Sequence, residues 1–161
     1  MAKPRKVEGL RCDDPFAGVA ARVVSVRADE LLELSEGVLD ISTIENLHAM
    51  RVASRRLRAT MEVFAPCFPR KRYRKALKEV KAIADALGER RDRDVSIRDL
   101  RHVGSSLGAA EGTGIEGLIG QFQAEQSVAN ERLAQYVDRR RLADLRESIH
   151  QLTEAAEEAA R

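Results

Sequence analysis

The chain is predicted to be all-α, a helical bundle of about six helices, and three observations predict it. Aromatic residues are only 4% of its 161 residues, while Ala, Leu, Glu and Arg recur throughout. Straight-chain side chains lose little rotamer freedom in a helix, so this composition favours helices with aliphatic cores. Apolar residues return every three or four positions, the spacing that lines one helix face, and no segment reads as a strand. The length matches one ordinary domain, and a hydrophobic content of 43% suffices for a real core.

Residues 1–13 mix charge with Pro4 and Gly9 and show no period, so they are expected to form a mobile arm, leaving 14–161 for a single bundle. Asp14-Pro15 signals a helix start, with Asp as N-cap and Pro at the first helical position. This first helix is expected to reach about Glu36 with Phe16, Val19, Ala20, Val23, Leu31 and Leu34 on its apolar side. Arg27 and Glu30 share that meridian, as an inward pair or as the lining of a polar channel. Gly37 and the cap-like Asp40–Thr43 precede a second helix over about Ile44–Ala65, which should stop before Pro66 and Pro69.

A third helix is expected from Arg70 to Leu87, burying Tyr73, Ala76, Leu77, Val80, Ile83, Ala84 and Leu87 and ending at Gly88, the residue type favoured just past a helix terminus. The fourth should start near Asp92 as N-cap and carry Val95, Leu100, Val103 and Leu107. Four glycines in Gly104–Gly114 predict a flexible connection. That stretch lacks the GK[ST] of a phosphate loop and a preceding strand. A fifth helix over about Ile115–Val137 and a sixth from about Arg139, with Leu142, Leu145, Ile149, Leu152 and Ala156, complete the bundle.

The formal net charge is only +2, but the charges are segregated. Between His48 and Lys81 eleven Lys/Arg stand against two acids, Glu62 and Glu79, leaving the remainder of the chain net acidic. On a helical wheel His48, Arg51, Arg55 and Arg58 fall within an arc of roughly 80°. Met50, Ala53, Leu57, Met61 and Phe64 lie opposite, with Arg56 on the flank. On the third helix Arg74, Lys78 and Lys81 lie together beside its apolar face.

Like charges three or four residues apart on a helix repel by roughly 0.2–0.5 kcal/mol per pair, so such ladders call for a counter-charge. Glu30, Glu33, Glu36 or Glu154–Glu158 could supply it from within the chain. If the second and third helices pack as an antiparallel hairpin, the ladders would border one groove with a cation about every 5.4 Å along each wall. A linear polyanion fits such a groove better than a single phosphate does. Arginine suits phosphate because its planar fork of donors chelates two oxygens and stays charged, and His48 would add a member that gains its proton as the pH falls toward about 6.5.

The run His48-x-x-Arg51-Val52-Ala53-Ser54-Arg55-Arg56-Leu57-Arg58, followed about thirty residues later by Leu87-Gly88-x-x-Arg91-Asp92-x-Asp94-Val95, resembles the conserved histidine α-helical domain (CHAD) family. The likeness extends with less force from Asp14 to Leu152. It implies helical bundles with a basic groove or pore that binds inorganic polyphosphate. The family's basic positions fall here on His48, Arg51, Arg55, Arg58 and Arg91, with Lys78 and Lys81 as weaker matches; Arg74 joins them on helical spacing alone. Arg91 has a second reading, a salt bridge to Asp92 or Asp94 at the start of a helix. Members usually carry two related bundles and a second basic motif, so this chain resembles the first half, and a homodimer about a two-fold axis would restore the missing half.

No cofactor, metal or catalytic group is expected. His48, His102 and His150 lie apart from one another and from any Cys/His cluster, and no acidic pair sits in the basic stripe beside a nucleophile. Asp92 and Asp94 are better explained by capping and salt bridging. Nucleic acid is disfavoured because no aromatics accompany the arginines for base stacking. The competing expectation is a helical scaffold whose basic face meets an acidic protein or membrane headgroups. Cys12 and Cys67 are isolated thiols, no secretory signal or membrane-length apolar run is present, and a cytoplasmic location is expected, with polyphosphate granules as the place such a ligand would take it.

Overall fold

The computed structural model describes residues 3–106 and 109–161, with the side chains of 109–111 excepted, and among them places five α-helices and no strand. The first, α1 (Phe16–Glu33), starts after Pro15, which is itself the N-cap. Asp14 is therefore not the cap that its position suggests. Its carboxylate accepts the Arg11 N–H at 3.0 Å and lies 3.5 Å from Arg22. The helix stops three residues short of Glu36, the Ser35 hydroxyl donates to the Leu32 carbonyl at 2.6 Å, and Gly37 turns the chain at φ +72°.

Of the two readings of Arg27 and Glu30, the structure shows the inward pair. They bond to each other at the edge of the core, and the segment before α1 closes over them. The Arg5 backbone N–H donates to Glu30 at 2.6 Å, its side chain bonds to Glu33, and Arg27 donates to the Arg5 carbonyl at 2.8 Å. Glu30 and Glu33 are thus engaged on α1, far from the cations that they were candidates to neutralise. Met1 and Ala2, the tip of the expected arm, lie outside the described residues.

The second helix, α2 (Ile44–Val63), buries Leu47, Met50, Ala53, Leu57 and Met61 on one face, and a 3-10 turn over Ala65–Cys67 carries the chain to α3. That α3 spans Arg70–Gly104 is the main departure from the predicted order, because the expected third and fourth helices are one. Gly88 does not end a helix and Asp92 does not begin one. The stripe Ala76, Val80, Ile83 and Leu87 continues without a break as Arg90, Asp94 and Ile97, all buried. Burial against a neighbouring helix outweighs the roughly 1 kcal/mol that an interior glycine costs.

That neighbour is α4 (Ala109–Tyr136), whose broad contact is with α3. Of the four glycines expected in a flexible connection, Gly104 lies inside α3 and Gly112 and Gly114 inside α4. Leu107 and Gly108 lie outside the described residues. The last helix, α5 (Arg139–Ala159), begins where the sequence places it, with the Asp138 carboxylate accepting the Arg140 and Arg141 N–H groups at 2.9 and 3.0 Å. Its Leu145, Ile149, Leu152 and Ala156 pack with α1, α2 and the first half of α3 in one aliphatic core.

Candidate functional site

The basic face of α2 lies along α3, and three contacts define how. His48 feels the charge of Arg91, Arg51 Nε lies 3.9 Å from where a Cβ on Gly88 would stand, and Glu62 joins Arg58 to Lys81. The helices therefore run antiparallel, and the same register sets Arg55 opposite the level of Ala84. Ala84 and Gly88, both small, thus lie on α3 at the level of Arg55 and Arg51, with Arg91 about one turn beyond Gly88 at the level of His48. Leu47, Met50, Ala53, Leu57 and Met61 anchor the opposite face of α2 in the core, so its cations are held outward. The buried Ser54 hydroxyl donates back to the Arg51 carbonyl at 2.8 Å.

Partners divide the eight candidate cations into groups. Among the described residues, no carboxylate lies within ion-pair distance of His48, Arg51, Arg55 or Arg91, nor of Arg74 or Lys78. Arg58 and Lys81 differ: one oxygen of Glu62 stands 3.2 Å from Arg58 Nε and 3.6 Å from Lys81 Nζ. The counter-charge inside the chain is thus Glu62, not the acids of α1 or of the end of α5.

Two facing ladders do not form. Because the hairpin is antiparallel, the α2 cations from His48 to Arg55 face the Ala84–Arg91 stretch of α3, while Arg74 and Lys78 lie near the other end of the hairpin. Helical geometry also turns Arg74 about a quarter of a turn, and Lys78 more than a third of a turn, around α3 from Arg91 and Ala84. There they share a shallow depression with Leu77, Lys81, Ala82 and Asp85. By this register the cations follow a staggered order, from His48, Arg51, Arg55 and Arg91 at one end to Arg74 and Lys78 at the other, with Arg58, Glu62 and Lys81 between them.

Arg91 makes neither of the bonds to Asp92 or Asp94 that its second reading allows. The partner of Asp94 is its other neighbour, the fully buried Arg90, whose Nη2 lies 3.1 Å from Asp94 Oδ1. Gln126 of α4 donates to the same carboxylate oxygen at 2.6 Å, and Arg90 Nη1 lies 3.4 Å from Asn130 Oδ1. Burial pushes the Arg90 guanidinium pKa down, while Asp94 acts the other way. This network clips α4 to α3 beside Arg91, whose charge acts instead on His48.

Burial, then the charges of Arg91 and Arg51, hold the His48 imidazole below its usual pKa of 6.5. The free protein thus carries His48 neutral at neutral pH, and an anion placed among these groups would reverse the bias. The ion pairing of Glu62 with Arg58 and Lys81 is not among the sequence expectations, although Glu62 is the i+4 neighbour of Arg58. Nothing local marks Gly88 as the neighbour of Arg51 or Arg90 as buried.

The model of the CHAD domain family matches residues 22–161. The chain belongs to the CHAD domain family. No match was found among curated proteins or among solved structures. Within this CHAD domain the two halves of the sequence motif meet where His48 and Arg51 of α2 approach Arg91 and Gly88 of α3. Among the described residues no helix is long and apolar enough to cross a membrane.

Proposed function

We propose that this CHAD domain binds inorganic polyphosphate, or a related condensed phosphate, along the track of His48, Arg51, Arg55, Arg58, Arg74, Lys78, Lys81 and Arg91. One observation carries the reading: His48, Arg51, Arg55 and Arg91 lie along one stretch of the α2–α3 hairpin with no carboxylate in ion-pair reach among the described residues, and the space beside them is taken as the binding recess. Such an arrangement stores like-charge repulsion that a bound polyanion relieves. Charge-assisted bonds to phosphate contribute roughly 1.5–3 kcal/mol each before ligand ordering is subtracted, so a handful suffices for tight binding. The staggered layout favours a linear chain of phosphates, since Arg74 to Arg91 spans about 25 Å of α3. The role is binding without turnover, in the cytoplasm and at polyphosphate granules where that polymer collects.

A titration with polyphosphates of graded length at two salt concentrations tests this. Affinity should rise with chain length and fall with salt, as screening weakens exposed charge pairs. A face built for an acidic protein or membrane headgroups would not respond to phosphate chain length. Arg51→Ala combined with Arg55→Ala should weaken binding at least about tenfold, the loss expected from two charge-assisted contacts, with far-UV helicity unchanged. Retained affinity in that variant would reject the recess as the site.

A further inference from the structure

We infer that Glu62 is an internal counter-anion that divides the basic track and makes the domain discriminate among polyanions by length. The inference rests on the reading above and names what regulates that site. A single carboxylate oxygen of Glu62 serves Arg58 and Lys81 together, the only one of the two acids in the basic block to face α2's cations. The other, Glu79, is held by Arg141 of α5 at 3.0 Å on another side of α3. Glu62 thus occupies the position between the two helices that a phosphate of a bound chain would take.

Its exposure makes the contact displaceable. The side chains of Arg58, Glu62 and Lys81 are 45, 43 and 45% exposed, in the range where ion pairs are weak and solvent competes for both partners. Its position makes it selective. The open cluster extends from His48 to Arg55, about 10 Å along α2, and ends before Glu62 is reached. A short phosphate chain fills this cluster and leaves the Arg58–Glu62–Lys81 contact in place. A long chain crosses to Arg74 and Lys78 only by taking Arg58 and Lys81 from Glu62 and passing the released carboxylate, whose charge opposes it. The same carboxylate reaches the start of α3, where it adds to burial in raising the Tyr73 hydroxyl pKa.

The test compares wild type and Glu62→Gln with tripolyphosphate and with long-chain polyphosphate of about a hundred units, by calorimetry at fixed salt. Glutamine keeps the size and removes the charge. Long-chain affinity should rise about threefold or more, the size of effect expected when a weak competing ion pair is removed, while tripolyphosphate affinity stays within about twofold. In an Arg58→Ala/Lys81→Ala background the gain should vanish, which a merely structural link between α2 and α3 would not predict. Unchanged or weaker long-chain binding in Glu62→Gln overturns the inference, and so does an equal gain for both ligands. Wild-type protein that binds neither ligand overturns the functional reading itself, and the two failures are thus told apart. Should Glu62→Gln lose helicity, Glu62→Asp, which keeps the charge, must change the gap between long- and short-chain affinity by less than twofold or the inference falls.

Discussion

Two influences act on the His48 imidazole in the same direction: the half-buried site disfavours charge, and Arg91 and Arg51 repel it. Its folded-state pKa therefore lies below the unfolded value of about 6.5, so the unfolded chain takes up the proton first as the pH falls. The stability that neutral His48 contributes is complete above about pH 6.5 and is lost as the pH falls from there through the folded-state value. On the proposed reading, phosphates around the ring would invert the preference, and the complex would take up a proton on forming. Binding should therefore strengthen from pH 8 to pH 6 beyond the trend of a His48→Ala variant, which removes this group and leaves the ligand's own titration. Superimposable pH profiles for the two proteins would show that His48 does not meet the anion.

The decisive element is α3. Among the described residues only Gly9 and Gly37 have positive φ, so Gly88 is an ordinary helical residue. A Cβ there would meet nothing closer than Arg51 Nε at 3.9 Å, an ordinary contact. Gly88→Ala is thus expected to stabilise the domain by about 0.5–1 kcal/mol in urea unfolding, as replacing an interior helical glycine does. Had Gly88 terminated a helix in the left-handed region, the same change would destabilise. On the proposed reading the continuity also matters to binding, because one unbroken helix carries Arg74, Lys78, Lys81 and Arg91 in a fixed relation, clipped to α4 by Arg90, Asp94 and Gln126.

At the scale of the molecule, the far end of the α3–α4 hairpin lacks cover. Val103 and Leu118 are 47 and 40% exposed, and a Cβ at Gly112, Gly114, Gly117 or Gly120 would meet nothing within 4 Å. Four helical glycines in open space cost stability for no contact within the chain, whereas they would let a second backbone approach closely. We propose that a second copy packs here about a two-fold axis. Light scattering at micromolar concentration should then give twice the chain mass of 17.9 kDa, and Leu118→Glu should return it to the monomer. A monomeric mass for the wild type would remove this proposal and leave the recess, which lies within one chain, unaffected.

Local periodicity was enough to determine the all-helical class, the cationic and apolar faces of α2 and the start of α5 near Arg139. These depend on which face of a single helix meets the core, and residue spacing encodes that directly. The tertiary structure alone decided that α3 runs on through Gly88, that Arg90 and not Arg91 takes Asp94, and that Glu62 closes on Arg58 and Lys81. Each of those outcomes depends on a neighbour distant in the sequence. The α4 helix covers the stripe from Arg90 to Ile97 and so outweighs a local signal to stop, and the antiparallel register of α2 and α3 decides which charges come within reach of one another.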